Sequence, residues 1–180
     1  VSDTRSKNRD RWLAYLGERT GTLEYRFLRY AVVADELERL GLREQSLLAD
    51  IGAGSCDFDF YLRTVRGFRG RYLPIDGSID GTNLETWRPS CDLDLACAIE
   101  VLEHLKHPAV LVRRILRKCR FLVVTTPNKD QLGPEAVMAM DTTHLTPLGH
   151  DDLQYMGATR IRACSFFGRF QDTLLAAWET

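Results

Sequence analysis

Four apolar runs of strand length punctuate the chain: SLLADI (46–51), RYLPID (71–76), LDLACAI (93–99) and RFLVVTTP (120–127). The last is rich in Val and Thr, as strands are. Elsewhere the apolar positions recur at helical spacing. Leu23, Phe27, Tyr30, Ala31, Ala34, Leu37 and Leu40, with Val33 beside them, mark a helix over 23–41 that Gly41 stops. Residues 5–17 and 57–65 read as two more helices, and a helical segment broken near Pro108 follows the third strand. GHDDLQYMG (149–157) predicts a short helix stopped by Gly157. TRIRACSFF (159–167) and DTLLAAWE (172–179) predict two strands, near enough in sequence to pair as an antiparallel hairpin through a turn at Gly168. Strands alternating with helices predict one α/β domain: a doubly wound, mainly parallel sheet covered on both faces and ending in that hairpin.

One spacing departs from this plan. Only 16 residues separate Asp76 from Leu93, too few for a full helix and another long strand. This abbreviated crossover predicts a loop with at most a one-turn helix and a stub of edge strand around Thr82–Leu84.

At 180 residues the chain supports one well-buried core. A net charge of −1 gives no overall electrostatic case for nucleic acid or a membrane surface as partner. No apolar run is long enough to span a bilayer, and the polar VSDTRSKNRDRW start has no signal-peptide core. Cys56, Cys91, Cys97, Cys119 and Cys164 form no Cys-x-x-Cys pair, so reduced, mostly buried thiols in a cytoplasmic protein are expected. The arginine-rich stretches RTVRGFRGR (63–71) and VRRILRKCR (112–120) lie on or after amphipathic helices and read as solvated faces.

Candidate chemistry starts at LLADIGAGSCDFDFYL (47–62), where a strand ends on Asp50 and breaks into a turn at Gly52 and Gly54 before a helix. Such a turn offers free backbone N–H groups at the carboxyl end of the sheet, where open α/β sheets bind ligands. A dinucleotide fingerprint wants a third glycine at position 57. Asp57 stands there, favourable for the helix start and repulsive to a pyrophosphate. No phosphate-cradling GxxxxGK[ST] sequence is present, so the turn favours a ligand without phosphates.

The motifs DIGAGSCD (50–57), YLPIDGS (72–78), CAIEVLEHLKHP (97–108) and LVVTTPN (122–128), in this order, resemble the class I S-adenosylmethionine (SAM)-dependent methyltransferases over about 130 residues. The resemblance implies SAM as cofactor. It implies that Asp50, Gly52, Ala53 and Gly54 lie against the methionine part, and that Asp76 accepts hydrogen bonds from the ribose hydroxyls. Asn83 and Leu84 match positions near the adenine, and Ile99 and Glu100 match positions beside the sulfonium. Cys56 stands where the family usually has its third glycine. Residues 1–45 match a helical lid and 46–180 the cofactor-binding core. Trp12, Tyr15, Tyr25, Phe27 and Tyr30 in the lid shape an acceptor pocket or pack on the sheet; helical spacing favours packing.

Methyl transfer from a sulfonium is a displacement in which the protein aligns the acceptor and, where needed, removes its proton. His104, in EVLEH, and His144, in DTTHLTP, are the candidate bases, with Glu100, Glu103 and His104 expected on one face of a helical turn. The reading is O-methylation of a small molecule without a metal. A second reading takes Glu-x-x-Glu-His and the later histidine as similar to the metal site of the Hen-type small-RNA methyltransferases, which modify a ribose 2′-hydroxyl; Glu100, Glu103, His104 and His144 then hold a divalent ion. A third is a non-catalytic module that keeps the fold. A dehydrogenase is weakest, lacking the third glycine and the length for a nicotinamide-binding half.

Overall fold

The computed structural model describes residues 23–166 and 171–180. The helix expected over 5–17 and the turn at Gly168 lie outside the described residues. In chain order the elements are α1 (Leu23–Arg39), β1 (Leu47–Ile51), α2 (Asp57–Val65), β2 (Arg71–Ile75), the one-turn α3 (Gly77–Asp80) and β3 (Leu93–Ile99). A 3-10 turn (Leu102–His104) leads to α4 (Pro108–Leu116) and β4 (Cys119–Pro127). Then come α5 (Lys129–Leu132), α6 (Pro134–Met140), α7 (His150–Tyr155), β5 (Arg160–Cys164) and β6 (Thr173–Glu179). Pro108 occupies the first turn of α4, where its missing N–H costs nothing; the break expected there is a helix start.

The sheet runs β2-β1-β3-β4-β6-β5, with the first four strands parallel and β6 antiparallel to both β4 and β5. The doubly wound sheet and the C-terminal hairpin are therefore as expected. Strand alternation divides the core in two. Ala49, Ala96, Ala98, Leu122, Val124 and Trp178 pack beneath α4 and α7. Leu48, Leu95, Cys97, Val123 and Leu175 pack on the other face with α1 and α2. In α1, Val33, Ala34 and Leu37 are fully buried. Burying a side chain such as Val or Leu is worth about 1.5–3 kcal/mol, so this helix is fixed by the sheet it covers. Phe27 and Tyr30 pack against Phe58 and Tyr61, with ring centroids 5.2–5.9 Å apart, so these two aromatics serve packing.

The crossover is as short as its spacing predicts, but no strand forms at Thr82–Leu84. Turn bonds absorb that backbone instead. The Thr82 N–H donates to Asp80, the Glu85 N–H donates to the Asn83 side chain, and the Asn83 carbonyl accepts from Thr86 and Trp87. The β2 edge also offers a poor template. Arg71 donates to Ser46 and the Ile75 carbonyl accepts from Gly52, so Tyr72 and Pro74 face outward, and Pro74 has no N–H to give. No helix among the described residues is long and apolar enough to cross a membrane.

The arginine-rich stretches are partly neutralised: Arg66 pairs with Asp35 and Glu38, Arg63 with Asp59, and Lys118 with Asp92.

Candidate functional site

The parallel strands turn to opposite sides after β1 and β3, and a cavity of about 630 Å³ opens at their carboxyl ends. This is the topological switch point where sheets of this kind bind ligands. Asp50, Gly52, Ala53, Gly54, Ile99 and Glu100 all line it, joined by Arg26, Arg29, Tyr30, Ser55 and Phe58. Asp76 stands at its edge. Its carboxylate accepts from the Gly54 N–H at 3.0 Å and from the Ser78 N–H and hydroxyl at 2.7 and 2.6 Å. Burial raises its pKa, but the bonds from Ser78 and Gly54 outweigh that and hold it below the ordinary value. An ionised carboxylate has roughly four acceptor sites, so capacity remains for a donor from a ligand. Asn83 and Leu84 lie elsewhere: the Asn83 side chain caps its own turn and Leu84 packs on the core.

The turn needs its glycines for different reasons. Gly52 has φ +77° and lies under Val101; a Cβ there would meet the Val101 Cγ2 at 2.4 Å. Gly54 has φ +51° with open space around it, so its use is conformational. Cys56 also adopts the left-handed conformation, with φ 60°, at the N-cap of α2. Its local cost is about 1–2 kcal/mol, which accounts for a glycine preference at this position.

Asp50 is almost wholly buried beneath the turn. The Tyr72 hydroxyl donates to it, as does the Cys97 thiol at 3.4 Å. Burial pushes its pKa up to about 6 against the opposing effect of those two donors. An acid whose folded pKa exceeds its unfolded value stabilises the fold below the unfolded value and loses that contribution as pH rises through the folded one. The window runs from about pH 4 to pH 6, and its depth is about 3 kcal/mol. Asp50→Asn is therefore expected to gain on the parent by about 2–3 kcal/mol between pH 4 and pH 7. Urea unfolding of both proteins across that range checks this, and a constant difference would contradict it.

A second cavity, of about 650 Å³, adjoins the first and shares Arg26, Arg29 and Glu100 with it. Glu103, His104, Pro127, Met140, Asp141 and His144 complete its lining. Glu100, Glu103 and His104 do not share a helical face. The Glu100 N–H still donates to the Thr125 carbonyl, continuing the β3–β4 ladder, and the chain then reverses at Glu100 with φ 55° into the 3-10 turn. The same residues nevertheless converge, because His144 returns from the loop after α6.

Their chemistry is that of a ligand set. Glu103 is fully buried, and burial followed by the charge of Glu100 raises its pKa well above the ordinary carboxyl value. One of its oxygens accepts from the Thr126 hydroxyl at 3.2 Å. The other, Oε1, and the Oε1 of Glu100 are buried with no hydrogen-bond partner among the described residues. Arg29 pairs with the remaining Glu100 oxygen at 2.9 Å. His144 Nδ1 lies 2.6 Å from the Val137 carbonyl, which only accepts, so Nδ1 carries the proton and Nε2 a lone pair. His104 Nδ1 lies 2.9 Å from the Thr143 hydroxyl. Burial, then the electrostatic influence of His144, lowers the His104 pKa and favours the neutral ring. One ligand atom from each of Glu103, His104 and His144 lies within 4.8 Å of the others. A carboxylate beside two imidazoles, with the unsatisfied Glu100 oxygen lining the same cavity, makes an arrangement that a divalent cation completes.

The sequence gives no sign of Arg26, Arg29, Ser55 and Phe58 as cavity-lining residues, or of Asp141 and Thr143 as neighbours of the histidines. Arg26 and Arg29 show only as polar positions on an amphipathic helix. The Asp-Thr-Thr run before His144 carries an Asx-turn signal, which the structure bears out in the Thr143 N–H bond to Asp141.

No protein-family model matches the chain, and no curated protein sequence does. Solved structures do. A chain of the Haloferax volcanii complex between the Trm112 methyltransferase activator and a candidate methyltransferase is similar at a TM-score of 0.67 and 13% identity, with 94% of this chain and 96% of that one covered. A SAM-dependent methyltransferase from Archaeoglobus fulgidus gives a TM-score of 0.64 at 15% identity, with 94% and 99% covered. The plantazolicin methyltransferase BpumL, solved with SAH, gives 0.61 at 13% identity, with 93% and 88% covered. The fold of this chain is that of the class I SAM-dependent methyltransferases.

Proposed function

We propose that the protein transfers a methyl group from SAM to a hydroxyl of its acceptor, assisted by a divalent metal ion held by Glu100, Glu103, His104 and His144. The observation that carries this reading is the convergence of one ligand atom each from Glu103, His104 and His144 within 4.8 Å of one another, with a buried Glu103 oxygen that has no partner among the described residues. A metal-free base mechanism, the simpler expectation from sequence, leaves that oxygen unsatisfied in a site that would also have to repel a second negative charge. Mixed carboxylate and imidazole ligands suit a divalent transition metal such as Mn²⁺ better than Mg²⁺, which prefers oxygen ligands alone. When bound, such an ion lowers the pKa of a hydroxyl acceptor.

The rest falls to the chain. The first cavity suits SAM: it holds no phosphate cradle, and the acids Asp57 and Asp59 open α2. Asp76 receives the ribose hydroxyls, and Gly52–Gly54 supply the close backbone. Arg26 and Arg29 answer the methionine carboxylate, while Asp50 answers its cationic groups. Sharing Glu100 and the two arginines between the cavities sets the acceptor hydroxyl against the methyl group. A small molecule is the favoured acceptor, because the balanced charge of 24 basic and 25 acidic residues gives no track for a polyanion. The carboxylate–histidine cluster itself favours a ribose 2′-hydroxyl as the second reading. All five cysteines are free thiols, three of them buried, which supports a reducing compartment such as the cytoplasm.

Calorimetric titration with SAM and SAH, with and without Mn²⁺, followed by turnover on hydroxylated acceptors, tests the proposal. SAH binding that needs Asp76, with turnover only in the presence of metal, is expected. Asp76→Ala should weaken SAH by about 1–3 kcal/mol, or about 5- to 150-fold. Turnover indifferent to metal would return His104 or His144 to the role of general base. No binding of either nucleoside would favour the non-catalytic module.

A further inference from the structure

The geometry points to Thr143 as a positioning residue that fixes which nitrogen of His104 faces the cavity. This inference rests on the metal-assisted reading above and adds a residue to it.

The Thr143 hydroxyl sits between two partners. Asp141 Oδ1 is 2.6 Å from it on one side, and His104 Nδ1 is 2.9 Å from it on the other. A hydroxyl has one proton to donate. Asp141 Oδ1 is the acceptor here, since it also takes the Thr143 main-chain N–H at 2.8 Å. The Thr143 proton therefore goes to Asp141, and the Thr143 oxygen must accept from His104. Nδ1 of His104 then carries the ring proton, and Nε2 keeps a lone pair.

His144 reaches the same state through the Val137 carbonyl. The two rings, 4.7 Å apart and steeply inclined at 66°, thus both keep an Nε2 lone pair, and each offers one nitrogen within 4.8 Å of a Glu103 oxygen. A neutral imidazole free of partners places its proton on either nitrogen, and a proton on Nε2 would remove one ligand from the set. Partners of this kind orient metal-binding histidines, and their loss costs about 10- to 100-fold in metal affinity. Thr143 does for His104 through a side chain what Val137 does for His144 through the main chain.

Thr143→Val removes the hydroxyl at nearly constant shape. It leaves the turn in place, since the Thr143 N–H still donates to Asp141 Oδ1 at 2.8 Å. Long-range ¹H–¹⁵N correlation spectra of metal-free, histidine-labelled protein read the tautomer directly. The parent is expected to give the Nδ1–H form at both His104 and His144. In Thr143→Val, His104 should shift toward the Nε2–H form while His144 stays unchanged. Mn²⁺ titration of the same proteins should show a loss of about 10- to 100-fold in Thr143→Val and recovery in Thr143→Ser. A His104 that keeps the Nδ1–H form in Thr143→Val would overturn the inference and place control with the Thr143 main chain. The spectra are recorded without metal, so they decide the role of Thr143 even if the parent binds no Mn²⁺. A parent with the expected tautomers and no affinity for Mn²⁺ would overturn the metal reading instead.

Discussion

Glu103→Gln is expected to lower metal-dependent turnover by about 100- to 1,000-fold, the loss of some 3–4 kcal/mol of transition-state stabilisation. The same substitution should leave the metal-free protein at least as stable as the parent. The two effects have one cause. Glu103 is fully buried, one of its oxygens has no partner among the described residues, and the like charge of Glu100 opposes its ionisation. Without a cation the ionised side chain is a burden on the fold, because burial and a like charge both oppose it. Glutamine keeps the shape and the bond from Thr126 and removes the charge, and so also the ligand. A glutamate retained for packing or for the helix start would behave in the opposite way, with lower stability and turnover little changed. Thermal unfolding in the presence of a chelator, set beside turnover at saturating Mn²⁺, separates the two. A melting temperature several degrees below the parent would contradict the assignment.

The sheet was legible in the sequence because each strand advertises itself locally. LDLACAI and RFLVVTTP are buried on both faces, and their apolar runs match β3 and β4 to within a residue at either end. The acid-rich start at Asp57 fixed α2. Within the candidate site, Gly52, Gly54, Asp76 and Glu100 were legible because they sit where a parallel sheet must turn, and Glu103, His104 and His144 by residue type alone. What stayed hidden depends on meetings between residues distant in the chain. Arg29 reaches Glu100 across 71 positions, and Thr143 reaches His104 across 39. No local period encodes either contact. The conformation of Glu100 was hidden for a different reason. A helical turn explains the spacing of Glu100, Glu103 and His104 equally well, and only the bond from the Glu100 N–H to Thr125 assigns that residue to the sheet.

Gly52→Ala should destabilise the protein by about 2–5 kcal/mol, a large part of the roughly 5–15 kcal/mol that holds a domain together. Two costs add. A non-glycine residue at φ +77° gives up about 1–2 kcal/mol to the left-handed backbone. The new Cβ would lie 2.4 Å from Val101 Cγ2 and 3.2 Å from Cγ1, an overlap that costs about 1–3 kcal/mol to relieve. Val101 has little room to yield, since it is buried between the end of β3 and the turn that carries Glu103 and His104. Any relief would move that turn, so the damage should reach the histidine–carboxylate cluster as well as the cofactor cavity. Val101→Ala removes both methyl contacts. In the double variant the overlap disappears and the backbone cost stays, so the two substitutions should together cost about 1–2 kcal/mol less than the sum of the singles. Urea unfolding of the four proteins in that cycle measures the term. Additivity within about 0.5 kcal/mol would mean that the backbone alone demands glycine at this turn, and that Val101 does not set how closely a cofactor can approach it.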